Sequence, residues 1–117
     1  MNISCTSTML LCLSISLSAC SPGCENEQIQ SHSSPGGTRK AVVFQRNCGA
    51  TTGFNTQISV ISTGANLPEE ASVLVVNGKA PIKVQWKSET SLSISELPSK
   101  EIIRQEREAE GVRITYE

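Results

Sequence analysis

The fold class is decided by the stretch SVLVVNGKAPIKVQWK, residues 72–87. Its second half alternates between apolar and polar residues, which is the period of a β-strand with one buried face. The residues that we expect to face inward are Ile82, Val84 and Trp86, and those expected to face outward are Lys83, Gln85 and Lys87. Its first half leads into Asn77-Gly78, a dipeptide typical of tight hairpin turns. We therefore predict a strand over 72–76, a hairpin at Asn77-Gly78 and a strand over 82–87.

Similar runs of β-branched and alternating residues lie on both sides of this stretch. They predict further strands over 39–46, 56–62, 92–94 and 112–116, with Ile58 and Val60 sharing one face. Only 3% of the residues are aromatic, so the core has to be built from Val, Ile and Leu.

Residues 99–110 fit either a helix or a strand. Ser99 could cap a helix and Gly111 could end one. Ile102 and Ile103 are the only large apolar residues of the segment, too few for a helical face that packs against a core. We predict a strand, followed by a turn at Glu110-Gly111. The chain is then an all-β domain, a small antiparallel meander or sandwich of about seven short strands.

The N-terminal residues have features of a bacterial export signal. An apolar run over 9–17 ends in Leu17-Ser18-Ala19-Cys20, which resembles the lipobox of bacterial lipoproteins. The run is too short to span a bilayer, which needs about 20 mostly apolar residues. No Lys or Arg precedes Arg39, so the positive start of such signals is missing. The alternative is a buried strand ending in an ordinary cysteine, but the polar Ser21-Pro22-Gly23 that follows favours a lipoprotein.

This resemblance implies a signal peptide over 1–19 and a mature chain that begins at Cys20. The sulfur of Cys20 would carry a diacylglyceryl group and its amine an acyl chain such as palmitate. Two or more acyl chains hold a protein stably on a membrane, whereas one gives marginal binding. The expected location is the cell envelope, outside the cytoplasm. By the same resemblance, Ser21 in place of Asp indicates the outer membrane if the organism is Gram-negative.

Residues 20–37 are polar and lack periodicity, so we predict a disordered tether there and the β-domain over 38–117. Once the signal is removed and Cys20 is acylated, Cys24 and Cys48 remain. An even pair of cysteines in an oxidising compartment predicts a disulfide, which would stabilise the fold by roughly 3 kcal/mol on the chain-entropy model. The alternative is a reactive thiol at Cys48, which needs an activating neighbour.

Two segments carry a resemblance to a known family. They are Ser34-Pro35-Gly36-Gly37 through Phe44, and Arg46-Asn47-Cys48-Gly49-Ala50-Thr51-Thr52-Gly53-Phe54-Asn55-Thr56-Gln57-Ile58-Ser59. They resemble a family of small bacterial domains of unknown function, whose members carry a Ser-Pro-Asp-Gly-like turn and an Arg-Asp-Cys-Gly-Ala-Thr-Thr-Gly-Phe signature. The resemblance covers most of residues 24–117. Asn47 stands where Asp is usual and Asn55 where Ser or Thr is usual, so a charged role of that Asp would be absent here. The resemblance supports the fold and implies no activity.

The composition argues against several functional classes. The chain contains no aspartate, which excludes EF-hand calcium loops and aspartate-dependent catalytic triads. The only histidine, His32, is expected in the solvated tether. Together with Cys24 and Cys48 it offers too few ligands for a metal site, and we predict neither metal nor cofactor. A net charge of −1 without a basic stripe argues against nucleic-acid partners.

The candidate binding residues form the loop Gly49-Ala50-Thr51-Thr52-Gly53-Phe54. Consecutive backbone amides between glycines could form an anion-binding nest, with the threonine hydroxyls as further donors. The simpler interpretation is that small residues let the turn pack closely beside Cys48. Trp86 is expected in the core rather than on a ligand-binding surface.

We therefore expect a non-enzymatic, lipid-anchored envelope module that contacts the membrane through Cys20 and an envelope protein through its surface. One alternative is a lipoprotein inhibitor of a cell-envelope lytic enzyme, with the Cys48–Phe54 segment as its rigid loop. An enzyme that uses Cys48 or a threonine is the third interpretation, which we place last.

Overall fold

A computed structural model of the chain describes residues 24–49, 53–97 and 101–117. The predicted signal peptide and Cys20 lie outside these residues. The described residues form nine strands and no helix, which confirms the all-β prediction. The strands are β1 (Glu25–Ser33), β2 (Arg39–Asn47), β3 (Phe54–Ser62), β4 (Leu74–Asn77), β5 (Lys83–Ser88), β6 (Ser91–Ser95), β7 (Ile102–Gln105), β8 (Glu108–Ala109) and β9 (Val112–Tyr116).

The strands form two sheets. The first has the order β1-β2-β3-β4-β7, and all its neighbouring strands are antiparallel. The second has the order β5-β6-β9-β8. In it β6 and β9 run parallel, which the predicted antiparallel arrangement did not include. The chain leaves the second sheet after β6, adds β7 to the first sheet, and returns to place β9 beside β6.

The main core lies between the two sheets, because each sheet turns alternate apolar residues toward the other. Its fully buried members include Ile58, Val60, Leu74 and Val76 from the first sheet and Leu92, Ile94, Val112 and Ile114 from the second. The inward prediction for the strand at 82–87 is confirmed, since Ile82 and Val84 are buried and the half-buried Trp86 packs against the core.

A smaller cluster covers the outer face of the first sheet. Val42 and Phe44 of β2 point away from the main core and are buried against Ala71. The segment between β3 and β4 is held over this face because the amide of Ala71 donates to Oε1 of the buried Gln57 at 3.1 Å. β2 therefore has apolar side chains buried on both of its faces.

The prediction of a tether over 20–37 is wrong for Glu25–Ser33, which forms β1. The stretch lacks apolar periodicity because it is an edge strand whose residues are exposed or half-buried. Its stability comes from the backbone ladder with β2, from Glu25 opposite Asn47 to Ser33 opposite Lys40. Trp86 adds a bond across the sandwich, since its indole N–H donates to the His32 carbonyl at 2.8 Å. The β-domain thus begins before residue 38.

The predicted hairpin at Asn77-Gly78 is also wrong. The strand before it, β4, lies between β3 and β7, and both neighbours hold the dipeptide. The amide of Asn77 donates to the Glu101 carbonyl at 2.8 Å, and that of Gly78 donates to the Phe54 carbonyl at 3.0 Å. The chain then crosses to β5 in the other sheet instead of folding back on β4.

The predicted strand over 99–110 is confirmed for the described part, where β7 and β8 lie. The turn at Glu110-Gly111 is confirmed as well and joins β8 to β9. Both of its residues have positive φ, 52° and 77°. Such a two-residue turn matches the twist of the strands that it connects.

Candidate functional site

One end of the sandwich is closed by the predicted disulfide. Cys24 and Cys48 are bonded, with their Cα atoms 4.1 Å apart. They directly precede β1 and directly follow β2, next to the first strand pair, Glu25 opposite Asn47. The bond therefore ties together the open end of the β1–β2 hairpin. We call the surface formed by Cys24, Cys48, Gly49, Gly53 and Phe54 the disulfide end.

The predicted binding loop lies partly at this end. Gly49, Gly53 and Phe54 are described, whereas Ala50, Thr51 and Thr52 lie outside the described residues. The Phe54 side chain is 41% exposed, and the Lys79 ammonium lies 5.3 Å from the centre of its ring. A cation over an aromatic face at this distance is an attractive contact. The loop thus ends in an exposed aromatic residue with a positive charge beside it.

The opposite end carries the turns at 34–38, 88–91 and 110–111, and we call it the turn end. β2 runs from Arg39 at the turn end to Asn47 at the disulfide end. At about 3.4 Å per residue the two ends are about 27 Å apart. A ligand of ordinary size at one end therefore leaves the other end free.

Glu89 fastens the two sheets together at the turn end. Its carboxylate accepts hydrogen bonds from the Ser34 hydroxyl at 2.7 Å, from the Gly36 amide and from the Thr38 hydroxyl. The bond from Thr38 is the largest of the causes that lower the pKa of Glu89. A Cβ added at Gly36 would lie 2.8 Å from the Glu89 carboxylate, so a larger residue there would have to displace this carboxylate. Through these three hydrogen bonds the Glu89 carboxylate connects the β1–β2 turn to the β5–β6 turn.

A polar cavity of about 470 Å³ lies beside the Glu89 carboxylate. It is lined by Ser88, Thr90 and Ser91 from the β5–β6 hairpin and by Arg107, Glu108, Gly111 and Arg113 from β8, β9 and their flanks. Register places Arg113 opposite Ser91 on one side and Glu108 on the other. We call this site the arginine cavity. Its lining combines guanidinium groups with hydroxyl groups, which together bind oxygen-rich anions.

Sequence patterns do not indicate the arginine cavity, because its two halves are far apart in the chain. They meet only through the parallel pairing of β6 with β9, which local patterns do not reveal. The expected solvation of His32 is wrong in one respect, since the residue belongs to β1 and its ring nitrogen Nε2 lies 2.8 Å from Oε1 of Gln30. The expectation that Trp86 packs in the core is confirmed.

Within the described residues, no three His, Cys, Asp or Glu side chains are grouped as metal ligands would be. No helix in the described part of the chain has the length and apolar character to cross a membrane. No protein-family model, no curated protein and no solved structure matches this chain. The family resemblance of the Cys48–Phe54 segment therefore stays a prediction.

Proposed function

We propose that this chain is a bacterial lipoprotein, anchored through lipid on Cys20, whose β-sandwich is a non-enzymatic binding module of the cell envelope. The observation that carries the proposal is the disulfide between Cys24 and Cys48. Disulfides persist in oxidising compartments, and this one begins four residues after the lipobox cysteine. Export to the envelope accounts for both features.

The distance from the anchor to the sandwich is short. An extended chain covers at most about 3.6 Å per residue, so Cys20 lies within about 14 Å of Cys24. Half of the stretch expected to be a tether over 20–37 is instead strand β1. A lipid on Cys20 therefore brings the disulfide end close to the bilayer surface.

This placement gives the two ends different surroundings. At the disulfide end, the exposed ring of Phe54 and the Lys79 ammonium suit the lipid headgroup region, where apolar and cationic side chains are both favourable. The turn end, with the arginine cavity, faces away from the membrane. We therefore favour a module that binds its partner through the turn end. An inhibitor that binds a lytic enzyme through the Cys48–Phe54 segment is less favoured, because the enzyme could contact that segment only at the bilayer surface.

Metabolic labelling tests the anchor. Cells expressing the full chain are grown with a clickable palmitate analogue, and their membranes are separated from soluble protein. We expect label and membrane location for the unmodified chain and for the control Cys12→Ser, and loss of both for Cys20→Ser. Equal labelling of Cys20→Ser, or an unlabelled soluble wild type, would contradict the proposal.

A second experiment tests which end faces the membrane. A benzophenone amino acid is introduced at position 54 in one variant and at position 110, in the exposed β8–β9 turn, in another. On irradiation of intact cells we expect lipid adducts from position 54 and none from position 110. Adducts from position 110 alone would reverse the proposed orientation.

A further inference from the structure

We propose that the arginine cavity binds an oxyanion group, a phosphate or a carboxylate, carried by a small polar molecule. The proposal rests on three features of the cavity, namely its charge, its hydroxyl groups and the absence of competing partners. It does not depend on the lipid anchor, because the cavity is lined by the strands and turns of the second sheet, with Arg39 of β2 at its edge.

The charge of the cavity is positive although the whole chain has a net charge of −1. Arg107 and Arg113 contribute two guanidinium groups against the single carboxylate of Glu108. A third guanidinium lies at the edge, since a Cβ added at Gly111 would be 3.6 Å from Nη2 of Arg39. An anion that enters the cavity is therefore attracted by two lining guanidinium groups and by Arg39 at the edge. It is repelled by the lining carboxylate of Glu108 and by the neighbouring carboxylate of Glu89, whose charge is partly offset by its three hydrogen bonds.

Within the described part of the chain, neither the Arg107 nor the Arg113 guanidinium has a hydrogen-bond or ion-pair partner, and Arg107 acts on Tyr116 through its charge alone. Among the described residues, the only ion pair within 4.0 Å joins Arg104 and Glu106. No side-chain hydrogen bond within the described part of the chain involves Arg107 or Arg113. Isolated exposed arginines are ordinarily solvated, but here two of them line one concave site. Their planar N–H groups are available to bind two oxygens of one phosphate or carboxylate at a time.

The hydroxyl side defines the rest of the ligand. Ser88, Thr90 and Ser91 face the same cavity and can both donate and accept hydrogen bonds. The lining is thus suited to a ligand with several oxygens or hydroxyls beside its anionic group. A volume of about 470 Å³ accommodates a molecule of the size of a phosphorylated or acidic sugar.

Amide chemical-shift titration of the full chain, kept in nonionic detergent at constant ionic strength, tests the proposal. The probes are inorganic phosphate and acetate, with chloride as the blank. We expect saturable shifts at Thr90, Gly111 and Arg113. The affinity obtained from these titrations should fall at least tenfold in Arg107→Gln and in Arg113→Gln. It should fall less in Arg107→Lys, which keeps the charge. Arg104→Gln is the matched control, because its guanidinium already bonds Glu106 and the Ala71 carbonyl.

The two anions separate the chemical sources. Saturation by phosphate alone assigns a phosphate group, and saturation by acetate as well assigns an oxyanion in general. Shifts that do not saturate, that chloride reproduces, or that Arg104→Gln removes as strongly as Arg107→Gln would overturn the proposal. The dispersion of the amide signals shows whether each variant is folded. If a glutamine variant is unfolded, Arg107→Lys still tests the proposal.

Discussion

Replacing Cys24 and Cys48 together with serine removes the bond that closes the open end of the β1–β2 hairpin. The two cysteines are 24 residues apart, and on the chain-entropy model a bond closing such a loop contributes about 3 kcal/mol. A domain of this size is typically stable by about 5–14 kcal/mol in total. The double variant should therefore remain folded in the cold and unfold about 12–24 °C below the oxidised wild type.

Urea and thermal unfolding followed by circular dichroism measure this difference, with dithiothreitol-reduced wild type as the matched control. Reduced wild type and the double variant should share one midpoint, well below that of the oxidised protein. Amide exchange should accelerate most in β1, because this edge strand has a sheet neighbour on one side only. Equal midpoints for oxidised protein and double variant would refute the assigned role of the bond.

Three further outcomes follow from the packing and the titratable groups. Leu92→Ala, at a fully buried core position, should lower the free energy of unfolding by about 2–5 kcal/mol. The control Ile103→Ala, at a side chain 63% exposed, should change it by less than about 0.5 kcal/mol. Equal effects of the two substitutions would contradict the described core. Because its hydrogen bonds lower the pKa of Glu89, this carboxylate stabilises the fold above its ordinary pKa, and the contribution disappears as pH falls through the lowered value. The urea midpoint of Glu89→Gln should thus depend less on pH in the acid range than that of the wild type, whereas the control Glu70→Gln should behave like the wild type. The same pH dependence in Glu89→Gln and wild type would contradict a stabilising role of the Glu89 hydrogen bonds. Burial raises the pKa of Tyr116 to about 12, so the single tyrosine should ionise near pH 12 in absorbance titrations, with stability lost between about pH 10 and 12; a midpoint near 10 in folded protein would contradict its burial.

The strands that could be predicted from the sequence are mainly those with at least one buried apolar face. Residues 112–116 were predicted to the residue because Val112 and Ile114 alternate with exposed neighbours. The strand at 25–33 could not be found in this way, since neither of its faces is continuously apolar. One signal could have found it. Cys24 and Cys48 lie symmetrically about the turn Pro35-Gly36-Gly37, as expected for a hairpin closed by a disulfide.

The hairpin at Asn77-Gly78 was wrong because a turn dipeptide describes only its own backbone. Whether the following strand folds back depends on which edges of β4 are free, and β3 and β7 occupy both. The candidate site shows the same limit. The disulfide was predictable from the cysteine count and the expected compartment. The arginine cavity depends instead on the parallel pairing of β6 with β9, whose paired residues, such as Ser91 and Arg113, are more than 20 positions apart in the chain.

The mass of the protein extracted from bacterial membranes tests the central claim most directly. We predict a chain that begins at Cys20, carries a diacylglyceryl group on its sulfur, and is lighter by two hydrogens because Cys24 and Cys48 are bonded. A soluble chain that begins at Met1, without lipid and with both of these thiols free, would contradict the account.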